Sequence, residues 1–285
     1  MDIIPRYPDA CALTLDLRPY LHERLRRLPE GISEFTFANL YLFRDKHNYR
    51  LTMLEDDLPA LFGKDGNNAF FMLPFGLPDM QTLAQLFTDH ATQKCVTESQ
   101  KKALESFGYT VMEDRDNFDY LYNRSDLAEL PGRKYSKKRN MVNAFIHNHE
   151  YTGKPLLDEH IPQALSILEQ WRKENDEEGD YTAAREALER AWELQLCGGI
   201  YYVGNRPVAY SLGEELANAT SFVVHFEKAV QGYKGLYQFI NQAFAAILPD
   251  IYDTINREQD LGDEGLRHAK HSYQPSGYVM KYRAH

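Results

Sequence analysis

The chain has 285 residues, of which 43% are apolar and 13% aromatic, so it can bury one large core or two medium ones and is too apolar for disorder. Its net charge of −10 does not suit general nucleic-acid binding, which draws on Lys and Arg. No run of about 18 apolar residues predicts a membrane span, MDIIPRYPDA does not read as a secretory signal, and the odd set Cys11, Cys95 and Cys197, with no C-x-x-C, argues against a disulfide frame or cysteine zinc site and for a reducing cytoplasm.

In chain order, residues 16–28 read as a helix and 34–44 as a second helical segment. YRLTML and AFFMLPF are strand-like, 79–90 is a helix ending near His90, KCVTES is a short strand, 99–107 a helix and NFDYLYN a strand. Leu130-Pro131-Gly132 marks a junction, followed by a linker helix over 135–148 with Met141, Val142 and Phe145 as its apolar stripe.

The second half is clearer. Ile161, Ala164, Leu165, Leu168 and Trp171 recur at helical spacing behind Asp158 as a cap, and Ala184, Leu188, Ala191 and Trp192 form the face of another helix. The acidic stretch ENDEEGD between them reads as an exposed turn. GGIYYV, VAYSL and SFVVHFE predict three strands of an antiparallel meander, the first two joined by a turn at Gly204-Asn205. A helix carrying Leu236, Phe239, Ile240, Ala243, Phe244 and Ile247 links SFVVHFE to YDTINRE, which therefore reads as its parallel neighbour. A helix over 262–271 and a last strand, YVMKYR, complete the order. The first half repeats that order, so the expectation is an α/β (α+β) chain of two tandem halves, 1–134 and 135–285. Each would be a mixed, mainly antiparallel sheet flanked by helices, and the working cleft would lie in the second half.

The candidate residues cluster there. Gln231-Gly232-Tyr233-Lys234-Gly235 joins a strand to an amphipathic helix, where glycines allow close approach and free N–H groups meet an anion. The corresponding PFGLPDM in the first half instead presents Asp79 to its helix start. Strand alternation puts His225 and Glu227 on one face, either as a base for an amine nucleophile or as a pair satisfying each other. It also puts Asn256 and Glu258 on one face and Arg257 on the other. Asn256 and Arg257 suit a carbonyl and an anion, and Glu258 or Asp260 suits an ammonium; alternatively these groups form a buried network with Asp260 capping the next helix. Tyr273, with Lys270 and Ser272, follows that helix. The basic run Arg133, Lys134, Lys137, Lys138 and Arg139 is either a solvated helix start or a polyanion site, such as one for tRNA. His147 with His149 and His268 with His271 lack metal-site spacing, so no metal is expected.

SEFTFANLYLFR, DLAELPGRKYSKKRNMVNAF, HFEKAVQGYKGLYQFINQAFA and INREQDLGDEGLRHAKHSYQP resemble the motifs of the phosphatidylglycerol lysyltransferase C-terminal domain family, from about residue 30 to 283. That resemblance implies two tandem GNAT-like (acetyltransferase-type) domains related to lysyl-phosphatidylglycerol synthases and peptidoglycan aminoacyl transferases. Membrane synthases of this kind place a transmembrane flippase ahead of the domain. This sequence shows none, so the resemblance speaks to fold and transferase ancestry more than to a lipid substrate. It further implies that the 231–235 loop holds a coenzyme A pyrophosphate, although Gln231 and Gly235 stand one residue further apart than in the GNAT motif. The strands ending at Glu227 and Glu258 would splay to admit an acyl group, and Tyr273 would protonate a leaving thiolate. The implied activity is acyl or aminoacyl transfer from acyl-CoA or aminoacyl-tRNA to an amine or hydroxyl acceptor. The alternative is a non-catalytic GNAT-fold module that binds or senses a ligand.

Overall fold

The computed structural model describes residues 4–175 and 179–285, so residues 176–178 of the acidic turn lie outside the described residues. The first part of the chain runs β1 (Cys11–Ala12), α1 (Arg18–Arg26), α2 (Phe37–Leu42), β2 (Arg50–Met53), β3 (Pro59–Asp65), β4 (Asn68–Met72), α3 (Met80–His90), β5 (Gln93–Val96), α4 (Glu98–Ser106) and β6 (Val111–Glu113). Caps define its helices. Thr36 accepts the Asn39 N–H before α2, Asp79 accepts the Gln81 and Thr82 N–H groups before α3, and Thr97 with Gln100 forms a capping box at α4. Phe62, Phe71, Leu83, Leu86, Val96 and Leu104 meet in the core between the sheet and these helices.

The chain continues through β7 (Asp119–Asn123), α5 (Arg124–Glu129), α6 (Ser136–Asn148), β8 (Tyr151–Pro155), α7 (Ile161–Glu174), α8 (Tyr181–Glu189), α9 (Ala191–Leu194), β9 (Cys197–Val203), β10 (Arg206–Leu216), β11 (Ser221–Ala229), α10 (Leu236–Ile247), β12 (Thr254–Asn256), α11 (Glu264–His271), β13 (Gly277–Val279) and β14 (Tyr282–Ala284). The β9–β10–β11 meander and the parallel β11–β12 pair follow the expected order. On α8, Ala184 and Leu188 are buried as expected. The helix ends at Glu189, however, so Trp192 falls on α9 and is 81% exposed rather than on the apolar face.

Two seven-stranded sheets result, ordered β1-β2-β3-β4-β5-β14-β6 and β13-β7-β12-β11-β10-β9-β8. Each has a parallel pair bridged by a helix: β4 with β5 through α3, and β11 with β12 through α10. Beside each parallel pair lies an antiparallel strand from the other half of the sequence, β14 next to β5 and β7 next to β12. The expected final strand YVMKYR is therefore two strands in different sheets. The compact units accordingly do not divide at 134/135. Unit 1 holds the residues up to Asp119 with Gln259–Gly262 and Tyr278–His285; unit 2 holds Tyr120–Glu258 and Asp263–Gly277.

Candidate active site

The site is set by where β11 and β12 stop pairing. Their register covers Ser221–Thr254, Phe222–Ile255 and Val223–Asn256, after which β12 ends and β11 runs on to Ala229. Beyond that point β11 carries a bulge. Leu212 pairs with Phe226 and Gly213 with Val224, leaving His225 as the extra residue. A bulge resets alternation, so His225 and Glu227 do not share a face as the sequence pattern suggested. Glu227 turns toward α10, where both its carboxylate oxygens accept from Asn241 Nδ2 at 3.1 Å, the face on which Phe222 meets Phe244. His225 takes the opposite side.

There the imidazole lies between two carboxylates, Nδ1 at 2.7 Å from Glu258 and Nε2 at 3.0 Å from Glu214. Burial is the largest single influence and disfavours its charge, but the two carboxylates together outweigh it and raise its pKa from 6.5 to about 10. At neutral pH His225 is an imidazolium with both nitrogens taken, and it cannot accept a proton. It holds Glu258 in place. Glu258 is further set by its backbone, since φ is +55° and the Asn256 side-chain oxygen accepts its N–H at 2.8 Å. Such left-handed backbone at a non-glycine residue is strained and concentrates at functional sites. The Glu258 side chain is 20% exposed, against 5% for Glu214. Glu258 faces His225, whereas Arg257 faces Glu227 and Asn241.

Arg257 reaches Glu227 at 3.3 Å and Asn241 Oδ1 at 3.1 Å, and lies 5.1 Å from the Tyr273 ring centroid. Burial raises the Glu227 pKa against the pull of Arg257. Burial likewise lifts the Tyr273 hydroxyl to about 12, so it is a protonated donor. The Lys270 amine braces the corner by donating to the backbone oxygens of Arg257 and Glu258 at 2.6 and 3.0 Å.

Other expectations part from the structure. Asp260 is fully buried in unit 1, where it accepts from Gly262 N–H at 2.9 Å and pairs with Arg115 at 3.3 Å. It does not cap α11, whose cap is Asp263. In the glycine loop, Gly235 has φ +86° and a Cβ there would stand 2.1 Å from the Met141 carbonyl, so close packing on α6 demands this glycine. Gly232 also has positive φ but open space around it. Glu174 Oε2 accepts the Gln231 N–H at 2.7 Å, which places a carboxylate against the loop. Tyr233 meets the His149 ring edge-on, and Lys234 is exposed. The basic run is not one face. Lys134 pairs with Asp126 at 3.2 Å, Arg139 binds the Leu130 and Gly132 carbonyls, Lys138 turns toward Ser272, and Arg133 and Lys137 remain exposed. Glu214 and Asn241 were missed; a glutamate inside the buried run VAYSLGEEL was the available signal for the first.

Two grooves of unit 2 lie outside this network. One, about 650 Å³, is apolar and lined by Ile146, Tyr151, Tyr201, Phe239, Ala243 and Ile247. The other, about 680 Å³, is polar and lined by residues including Glu150, Lys154, His160 and Tyr202. Neither contains Glu258 or Arg257; the network is the better guide to chemistry because it gathers a buried imidazole, two carboxylates and a guanidinium at the end of the β11–β12 pair.

Two mixed sheets, each with a parallel pair bridged by a helix, define a tandem GNAT-like protein. Residues 25–285 match the family described as phosphatidylglycerol lysyltransferase, C-terminal, and the chain belongs to that family. A conserved protein of unknown function from Bacteroides thetaiotaomicron is 32% identical, covers 96% of this chain and 98% of its own, and superposes with a TM-score of 0.88. The L-PGS of Bacillus licheniformis shares the fold at 14% identity and TM-score 0.62, over 100% of this chain and 94% of that one. An uncharacterized protein of Mycoplasmoides gallisepticum is 24% identical over 175 residues, 58% of this chain, and the match spans about half (54%) of that relative's length. Among the described residues no helix is long and apolar enough to cross a membrane.

Proposed function

We propose that unit 2 transfers an aminoacyl group from an aminoacyl-tRNA ester to an amine or hydroxyl acceptor, at the corner where β12 ends. The observation that carries this reading is Glu258. It is a partly exposed carboxylate, fixed by an imidazolium and by a strained backbone, at the point where the parallel strands separate. An aminoacyl donor brings an ammonium for such a carboxylate to hold, whereas a simple acyl thioester brings none. The glycine loop argues the same way, because Glu174 at the Gln231 N–H would repel a coenzyme A pyrophosphate. Arg257, held by Glu227 and Asn241, and the protonated Tyr273 supply donors for charge developing on the carbonyl and leaving oxygens. Exposed Arg133 and Lys137 would meet tRNA phosphates at the rim. Family membership supports the transferase class.

The test follows a labelled aminoacyl ester on tRNA with a panel of amine and hydroxyl acceptors. Glu258→Gln should lower transfer by on the order of 10²-fold with only a small loss of Tm. Acetyl-CoA supporting turnover in place of aminoacyl-tRNA would overturn the donor assignment. A donor that raises Tm without turnover would make the chain a binding module instead.

A further inference from the structure

Lys138 differs from the other cations around the site. Arg257 has Glu227 at 3.3 Å, Lys134 has Asp126 at 3.2 Å, and Lys228 has Asp180 at 2.5 Å. Among the described residues no carboxylate lies within ion-pair distance of the Lys138 amine. It donates to Ser272 Oγ at 2.6 Å and stands 3.8 Å from the Tyr273 ring centroid, half-buried. A lysine seeking only solvent would extend outward as Lys137 does. The charged and titratable groups nearest it are Arg257, with its partner Glu227, and Tyr273; the last turn of α11, just before Ser272, adds Lys270, bound to the Arg257 and Glu258 carbonyls, and His271, edge-on to the Tyr120 ring. α10, also packed on α6, carries only Tyr237 as a titratable side chain, and that hydroxyl is engaged with Ala229. Burial first, and the Arg257 charge second, pull the amine down to about 8, so a useful fraction is neutral near physiological pH.

Resting on the transferase reading above, we propose that Lys138 is the general base of the transfer step. Its neutral Nζ takes the proton from the acceptor O–H or N–H as that atom attacks the ester carbonyl carbon. The new C–O or C–N bond forms, the ester bond to the ribose oxygen breaks, and the Lys138 ammonium returns the proton to that oxygen. Lys138 ends neutral, and no other reagent is consumed. The Tyr273 ring face stabilises the ammonium while it exists. Arg257, always charged, cannot share the role.

The decisive comparison is Lys138→Arg, which keeps the charge but does not titrate. In the full-length wild type, kcat should rise with pH through about 8 and level off. Lys138→Arg and Lys138→Met should both lose at least about 100-fold in kcat, with KM for the donor and Tm little changed and the alkaline rise gone. A second readout does not depend on turnover. After reductive methylation with labelled formaldehyde, the Lys138 resonance, assigned by its absence in Lys138→Arg, should titrate near 8. Lys138→Arg retaining activity within about threefold, or a resonance titrating with the ordinary lysines, would overturn the assignment; the first result would make Lys138 a holder of anionic substrate. A wild type that transfers nothing to any acceptor would bring down the transferase reading itself. Transfer by both wild type and Lys138→Arg would bring down only the base.

Discussion

Lys281 in unit 1 and His225 in unit 2 each lie between two carboxylates, yet the two arrangements serve different ends. Lys281 and Asp119 are fully buried, 2.7 Å apart, and Glu34 is the lysine's second partner. Asp119 also accepts from the Ser33 N–H at 2.9 Å and hydroxyl at 2.8 Å, so this group is satisfied from within. Lys281 directly precedes β14, so the cluster anchors the start of that strand within unit 1. His225 also sits between carboxylates, but one of them, Glu258, keeps a fifth of its side chain open at a strand end. A closed charge cluster anchors a strand; the same device with one carboxylate left open can meet a ligand. The contrast teaches that a buried charge is read by what remains accessible, not by its pKa alone.

Lys281→Met tests the closed half most severely. It leaves the fully buried Asp119 and the mostly buried Glu34, 13% exposed, without that cation, and a cost of about 3–5 kcal/mol is expected in chemical denaturation. Glu258→Gln should cost far less stability while removing activity. A Lys281→Met protein within about 1 kcal/mol of wild type would mean that the triad does not anchor β14. Next come the glycines that precede each bridging helix. Gly235→Ala meets both a left-handed backbone and the Met141 carbonyl, and should cost more than about 2 kcal/mol. Gly76→Ala in unit 1 has positive φ but open space, and should cost about 1 kcal/mol. Equal costs would show that packing on α6 is not what fixes Gly235.

Much of this plan was legible in the sequence. Helical spacing and turn residues marked most elements, and the helix between SFVVHFE and YDTINRE announced the parallel pair. The strand exchange was not legible. NFDYLYN and YVMKYR read as strands, but nothing local says which sheet takes them, because pairing is decided by long-range fit. The bulge was hidden for a similar reason: alternation assumes regular pairing, and one extra residue at His225 moved Glu227 to the other face. Asp260 looked like a neighbour of Glu258, but the chain passes into unit 1 at Gln259 and takes Asp260 with it. Lys138 appeared as one cation in a basic run. Only the structure shows that Arg257 and Tyr273 reach it from far along the chain.

pH separates the two cation clusters more gently. His225 has a folded pKa above its ordinary 6.5, so its contribution is full below about 6.5 and is lost as pH rises through about 10. Lys281 is raised from a higher starting point, 10.5, so unit 1 keeps its contribution over that window. Wild-type Tm should fall by on the order of 2–4 °C between pH 7 and 10. His225→Gln should flatten that slope. An unchanged slope in the variant would show that His225 is not charged in the fold.

The smallest expected effect bears most directly on which unit works. The α3 start in unit 1 is filled by its own Asp79, which accepts from the Gln81 N–H at 2.8 Å and the Thr82 N–H at 3.1 Å; the Thr82 side chain first, and these backbone bonds with it, lower its pKa. The α10 start in unit 2 has Gly235 as its cap and no side-chain bond. A helix start already holding a carboxylate has little left to offer an anion. Asp79→Ala should therefore lower Tm by only ~1–3 °C, seen by calorimetry, and leave aminoacyl transfer unchanged. If transfer falls in Asp79→Ala while Tm holds, unit 1 takes part in binding, and the division of labour between closed and open clusters does not stand.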